Sequence, residues 1–371
     1  LQHYLKMHLA TIALIAGKVL SVAVIILAAI FIDHQTIGFY IMVAAGIVGH
    51  GLMLLFAWFY ASKFIKVTFA FDKDYCLHLI KKAWPYGLAL ILSTIYFKID
   101  VTLLSLMRSQ EEVGFYGVPL RMVEVLIVLP LFFMNSVIGT MTKVVNSSKY
   151  EVDSYKGLSK SKSLQGQKSG KDIQKIFALS FQFLLTAAIP IFIFVYFFGR
   201  EIIRLISSES FLSTPSSYGS DSVLILLIIA LCISFFSTLC SFTMVAFNQQ
   251  KRVLWVNAAG ALFNLFTNLY FIPLYGFMGA AYTSIASEIL ISFIAAYFLL
   301  KTFRFSFPWK IIFKTLLSGI LVFFALKYLL PFLEPLHALL QMFIAGIFMS
   351  GLYLGVLYFT RVIDFKKNVL I

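Results

Sequence analysis

Residues 263–290 read FNLFTNLYFIPLYGFMGAAYTSIASEIL. Almost every position is apolar or small, yet asparagines, a proline, glycines and one glutamate interrupt the run. The apolar residues on each side of IPLYG extend for about 20 positions, enough to cross about 30 Å of hydrocarbon at 1.5 Å per residue. Pro and Gly at the centre punctuate the run. The stretch therefore predicts two antiparallel membrane helices joined by a tight turn at residues 273–276. Asn257, Asn264 and Asn268 are spaced by seven and four, so they share one face of the first helix. A polar face on a spanning helix points to a bundle interior or a cavity. Glu288 lies about 11 residues into the second helix, near the midplane, where a carboxylate must be protonated or paired.

The rest of the chain repeats this pattern. Of 371 residues, 61% are hydrophobic and 12% charged, and the mean hydropathy is +0.93. A soluble fold cannot cover that much apolar surface, so the composition implies a polytopic all-α membrane protein. Apolar runs fall at roughly 9–32, 36–60, 84–107, 113–142, 176–198, 222–247, 253–273, 277–300, 312–331 and 337–360, giving about ten transmembrane helices. The net charge of +14 does not indicate nucleic acid, because the lysines sit in short loops between spans. Of the 30 Lys and Arg residues, 23 fall on one set of loops and three (Arg108, Arg200, Arg204) on the other. That asymmetry predicts both chain ends on the cytoplasmic side. Trp58, Trp84, Trp255 and Trp309 fall at the same ends of their spans, where amphipathic rings prefer to sit. Residues 146–174 are rich in Ser, Lys and Gly and read as a mobile cytoplasmic loop. The bland reading, a tolerated insertion, outweighs contact with anionic lipid headgroups.

Cys232 and Cys240 are eight residues apart in one run, about 12 Å along a helix, too far for a disulfide. The six histidines show no metal-ligand spacing, and neither a metal nor a cofactor is expected. Gly351 and Gly355 form a small-xxx-small pair that predicts close helix packing.

Ionisable residues inside spans are costly and mark candidate sites. Lys98, Asp100, Arg121 and Glu124 lie on two helices joined by the short RSQEEVG loop. Counting back from that loop places Lys98 and Arg121 at similar depths. Asp100 is expected to reach Arg121 across the hairpin, Arg121 and Glu124 to share one helix face, and Lys98 to remain without a partner. Lys18 stands mid-span with no acid near it in sequence. Lys18, Lys98 and Arg121 are the candidate cavity cations. Asp100, Glu124 and Glu288 are candidates for charge pairing or coupling. Asn257, Asn264 and Asn268 are the candidate polar cavity face.

NAAGALFNLFTNLYFIPLYGFMGAAYTSIASEIL, with its asparagines, IPLYG turn, GAA and Ser287-Glu288, resembles the late hairpin of the oligosaccharide and polysaccharide flippases. These are the O-antigen and teichoic-acid exporters of the multidrug/oligosaccharidyl-lipid/polysaccharide exporter superfamily. YFKIDVTLLSLMRSQEEVGFYGVPLRMVEVLIVLP, residues 96–130, resembles a second family pattern: an intramembrane Asp, Leu-Ser, Val-Gly-x-Tyr and a Pro-ended span. The resemblance implies two helical lobes around a cavity, with the ten spans standing for helices five to fourteen and the N-terminal lobe incomplete. Residues 1–62 would close that lobe, 63–83 would be a linker, 84–300 a six-helix lobe, and 301–371 two extra helices and a tail. The implied role is movement of a lipid-diphosphate-linked oligosaccharide from the inner to the outer leaflet of a bacterial or archaeal cell membrane. The implied partners are that substrate, membrane lipids, a glycan polymerase and glycosyltransferases. No covalent chemistry is needed, so the protein is not expected to be an enzyme. A peptidoglycan-precursor flippase and a cation-coupled drug exporter are the alternatives, and a membrane-embedded glycan polymerase or ligase ranks below them.

Overall fold

The computed structural model describes residues 7–31, 35–62, 72–154, 162–302, 308–360 and 362. Among these the protein is a polytopic membrane helix bundle. Its helices are α1 (Met7–Phe31), α2 (Gln35–Ser62), α3 (Lys73–Met107), α4 (Gln110–Leu126), α5 (Val128–Ser154), α6 (Lys162–Ile206), α7 (Ser220–Ala246), α8 (Gln250–Leu300), α9 (Trp309–Leu333) and α10 (Ala338–Phe359). Seven helical stretches are long and apolar enough to cross a membrane, and a shorter apolar segment, Ile15–Ala28, lies in α1. All four tryptophans are exposed, from 53% at Trp58 to 71% at Trp309.

The expected run at 113–142 is one apolar stretch, Gln110–Val145, with a break in its helix at Ile127, between α4 and α5. Pro130 explains the break: it has no N–H for the Leu126 carbonyl, and its ring clashes there. Helix also enters the stretch 146–174 from both sides, as α5 through Ser154 and α6 from Lys162. Residues 155–161 of the expected loop lie outside the described residues. At 45 residues, α6 is roughly 68 Å long, well beyond the hydrocarbon thickness.

The chain divides into two compact units, Leu1–Leu79 and Ile80–Ile371. In the first, α1 and α2 pack through backbone. A Cβ added at Gly17 would meet the Gly49 carbonyl oxygen at 2.5 Å, and one at Gly49 would meet that of Gly17 at 2.6 Å. Ser21 Oγ donates across to the Ala45 carbonyl at 3.1 Å. Among the described residues the expected small-residue contact at Gly351 and Gly355 is not made: a Cβ at either meets nothing within 4 Å.

In the second unit, α5, α6, α7 and α8 enclose the largest apolar core, centred on Met134, Met141, Phe177, Leu184, Leu224, Ile228 and Leu239. α9 and α10 pack on α6 through Phe198, Val322, Leu326, Ala345, Met349 and Leu357. A third cluster joins α3, α4, α7 and α8 through Leu104, Tyr116, Val223, Leu227, Ile272 and Met278.

α8 is the hairpin of the opening stretch. Its helical dihedrals fail at Gly276 alone, with φ 56° and ψ −139°. The Thr283 hydroxyl donates to Asn268 Oδ1 at 2.5 Å, and Asn264 Nδ2 donates to Ser287 Oγ at 3.3 Å. A Cβ at Gly260 would meet Ile291 at 2.5 Å. All three pairs are centred between Tyr275 and Gly276, so the two halves run antiparallel. The dihedrals at Gly276 suit glycine and few other residues. Glu112 on α4 caps the reversal: its Oε2 accepts the Phe277 N–H at 3.1 Å, and Arg108 Nε donates to its Oε1 at 2.9 Å. A Cβ at Gly276 would lie 2.2 Å from Glu112 Oε2. Gly276→Ala is expected to cost about 2–4 kcal/mol, from backbone strain plus the displaced cap. Thermal unfolding in detergent checks this. Introducing the change in a Glu112→Ala background should add less, because only the strain then remains.

Candidate functional site

The site grows from α3, α4, α7 and α8. On α3, Thr94, Lys98, Thr102 and Ser105 are exposed at helical spacing. On α4, the Lys98 ammonium donates to Glu124 Oε1, and Arg121 Nη1 donates to Glu124 Oε2 at 3.4 Å. Side-chain exposure is 53% for Lys98, 33% for Glu124 and 81% for Arg121. Charges are costly against lipid, and here Lys98, Arg121 and Glu124 form one ion-paired group on the exposed face of α3 and α4. Two cations share one carboxylate, which leaves an excess positive charge there.

The expected pairings are corrected here. Asp100 does not reach Arg121, and Lys98 does have a partner, Glu124. The reason is azimuth. Residues two apart on a helix point about 200° apart, so when Lys98 faces outward Asp100 faces the core. Asp100 is 6% exposed. Its Oδ2 accepts from the Tyr116 hydroxyl at 2.8 Å and from the Ser284 hydroxyl at 2.8 Å. Its Oδ1 accepts from Asn268 Nδ2 at 2.7 Å. That amide also donates to Asn264 Oδ1 at 3.0 Å, and its own oxygen accepts from Thr283. Asn268 thus uses both donors and its acceptor, as a fully buried amide must. Asn264 and Asn268 are 1% and 0% exposed. They are members of the Asp100 network, not of an open cavity wall.

Asn257, by contrast, lines a cavity of about 340 Å³ between α4, the start of α5, α7 and both halves of α8. Glu124 and Glu288 line it too, with Ser234, Ser237, Thr238 and Ser241 from α7. Glu288 is 7% exposed, and Ser237 Oγ donates to its Oε2 at 3.3 Å. A smaller cavity of about 50 Å³ adjoins it, sharing Leu120, Val123, Ile127, Ser234 and Glu288 and ending on Asp100, Tyr116 and Ser284. Glu288 therefore stands between the larger cavity and the Asp100 network. Lys18 is exposed on α1, in the first unit. His50 is exposed on α2, with Nδ1 2.7 Å from the Gly46 carbonyl oxygen.

Sequence reading missed the hydroxyls. Ser234, Ser237, Thr238 and Ser241 recur at three, one and three residues along SFFSTLCS, one stripe of an otherwise apolar helix. Tyr116, Thr283 and Ser284 were legible only as hydroxyls in apolar runs. Among the described residues no three His, Cys, Asp or Glu side chains converge in a way that could hold a metal ion.

This fold and site define a multi-pass membrane protein with a cavity inside its helices, whose largely apolar wall carries Glu124, Glu288, Asn257 and the α7 hydroxyls. Residues 1–144 match the family model described as "Polysaccharide biosynthesis protein". Over 94% of this chain and 68% of the other, the fold is shared with an inward-closed structure of lipid II flippase MurJ, with a TM-score of 0.65 and 17% identity. An outward-facing multidrug resistance MATE family transporter of the MOP superfamily aligns with 76% of this chain and 64% of its own, at 16% identity and a TM-score of 0.35. No curated protein sequence matches the chain. The family match over residues 1–144 agrees with a polysaccharide-biosynthesis resemblance, and the shared fold agrees with a polytopic helical membrane bundle.

Proposed function

We infer that this chain belongs to a flippase that carries a lipid-diphosphate-linked oligosaccharide from the inner to the outer leaflet, for cell-surface polysaccharide assembly. The observation that carries this reading is the position of Lys98 and Arg121, both tied to Glu124 on the wall of a cavity within a membrane bundle. A sugar-phosphate headgroup cannot enter hydrocarbon without losing its water. Cations for the phosphates and hydroxyls for the sugars replace that water. The diphosphate would compete with Glu124 for both cations, so binding would exchange one ion pair for another at little desolvation cost. Lys18 is a further candidate cation in the first unit. Asp100 and Glu288 are candidates for coupling, since each is a buried carboxylate whose hydrogen bonds a proton or cation would reorganise. The Lys and Arg asymmetry supports cytoplasmic placement of both ends, and the proposed lobes are 1–62 and 84–300, followed by two accessory helices.

Binding to the detergent-solubilised protein separates this reading from drug export. Geranyl diphosphate, a short prenyl diphosphate, is expected to bind, and the lipophilic cation tetraphenylphosphonium is not. The reverse preference would sink the proposal.

A further inference from the structure

We propose that α1 and α2 carry a diphosphate site of their own, formed by Lys18 and His50, in which binding of the anion takes up a proton on His50. The choice of a diphosphate over other anions rests on the flippase reading above.

The register of the two helices brings these side chains to one face. Gly17 opposes Gly49 through its backbone, and Ser21 opposes Ala45, so α1 and α2 run antiparallel. Lys18 follows Gly17, and His50 follows Gly49. One residue is a turn of about 100° and a rise of about 1.5 Å. Both helices are right-handed and their directions are opposite, so the two steps turn to the same side of the pair. The steps move apart along the axis, which sets Lys18 and His50 about 3 Å apart in depth. With helix axes about 8 Å apart, their Cβ atoms stand about 10 Å apart. A lysine and an imidazole reaching in from that separation meet across an anion the size of a diphosphate.

Both side chains are exposed, and both lie deep. Lys18 is the twelfth of 25 residues in α1, and His50 the sixteenth of 28 in α2. The nearer end of α1 is about 17 Å from Lys18, too far for the ammonium to reach the interface by snorkelling. Neither helix contains Asp or Glu, and among the described residues Lys18 has no hydrogen bond or ion pair. An unpaired cation at that depth marks a site for an anion.

His50 supplies the proton dependence. Its Nδ1 lies 2.7 Å from the Gly46 carbonyl oxygen. That oxygen can only accept, so Nδ1 carries the hydrogen of this bond and Nε2 is the free ring nitrogen. When neutral, Nε2 presents a lone pair, which repels an anion. When protonated, it presents an N–H and a positive charge, which bind one. Gly46 leaves room beside the ring, since a Cβ there would meet nothing within 4 Å. α1 is the helix packed against α2. The other titratable positions of the pair, His8, Tyr40 and Tyr60, stand at least about 12 Å away along the axis, so Lys18 is the charge that His50 meets. Anion and proton therefore strengthen each other's binding by the same factor.

The test is isothermal titration calorimetry on the full chain in detergent, with UDP-glucose and glucosyl geranyl diphosphate as probes. Both are diphosphodiesters that hold a constant charge between about pH 5 and 8, the range in which an imidazole titrates. Repeating each titration in buffers of different ionisation heat counts the protons taken up. Wild type is expected to take up a fraction of one proton per chain at about pH 6.5. In the Lys98→Ala, Arg121→Ala background, which leaves this site for the diphosphate, affinity should be about tenfold tighter at about pH 5.5 than at about pH 8. His50→Gln should abolish both effects, and Lys18→Met should weaken binding at every pH. Uptake with UDP-glucose supports a site for diphosphates at large, and uptake with the prenyl probe alone supports a site for a lipid headgroup. Binding to wild type without proton uptake overturns the site and leaves the flippase reading standing. Uptake unchanged in His50→Gln overturns the assignment to His50. Binding of neither probe overturns both the inference and the reading beneath it. The wild-type proton count needs no variant to fold.

Discussion

Asp100→Ala is expected to destabilise the second unit by about 3–5 kcal/mol, the range for removing one member of a buried charged hydrogen-bond set. The carboxylate is the common acceptor for Tyr116, Ser284 and Asn268, which come from α4 and from both halves of α8. Deleting it leaves three buried donors without their common acceptor. The loss spreads, because Asn268 also orients Asn264 and Thr283. Asp100→Asn keeps one carbonyl oxygen and is expected to cost less than half as much. Thermal unfolding in a mild detergent distinguishes the two. If alanine and asparagine shift the midpoint equally, the carboxylate is not the organising acceptor.

The double change Lys98→Ala with Arg121→Ala should have the opposite profile. Both side chains are more than half exposed, and exposed ion pairs contribute about 0–1 kcal/mol, so stability should barely change. Affinity for geranyl diphosphate should fall at least about a hundredfold, since each charge-assisted hydrogen bond is worth about 1.5–3 kcal/mol. The pair Lys98→Arg and Arg121→Lys keeps the charge and should retain most of the binding. Titration calorimetry on the three proteins checks both statements. A double variant that binds the diphosphate like wild type removes these residues from the site.

How much of this was legible in the sequence follows from what hydropathy measures. Long apolar runs located the helices and the IPLYG reversal, because lipid exposure forces nearly uniform apolarity over about 20 residues. The break at Ile127 was hidden, since Pro130 lies in a run apolar enough to pass as one span. Axial counting placed Lys98 and Arg121 at similar depths, but depth says nothing about azimuth. The Asp100–Arg121 pairing therefore failed, while Lys98 found Glu124. The asparagine spacing put Asn257, Asn264 and Asn268 on one face. Periodicity could not reveal that the latter two are sealed beneath Asp100. The α7 stripe escaped notice because serine and threonine barely lower mean hydropathy. Helix packing was misread for a related reason. Small residues are common in spans, and sequence alone does not separate Gly351 and Gly355, which meet nothing among the described residues, from Gly17 and Gly49, whose backbones meet.

Leaflet-to-leaflet movement is the direct measurement. The whole protein is reconstituted in vesicles with a fluorescent polyprenyl-diphosphate oligosaccharide, and a membrane-impermeant glycosidase reports which headgroups have reached the outer face. Headgroups should become accessible faster with the protein than in protein-free vesicles. The double change at Lys98 and Arg121 should return that rate to the protein-free level. A rate unaffected by the protein, or one the double variant leaves intact, would contradict the proposed transport of the headgroup past these cations.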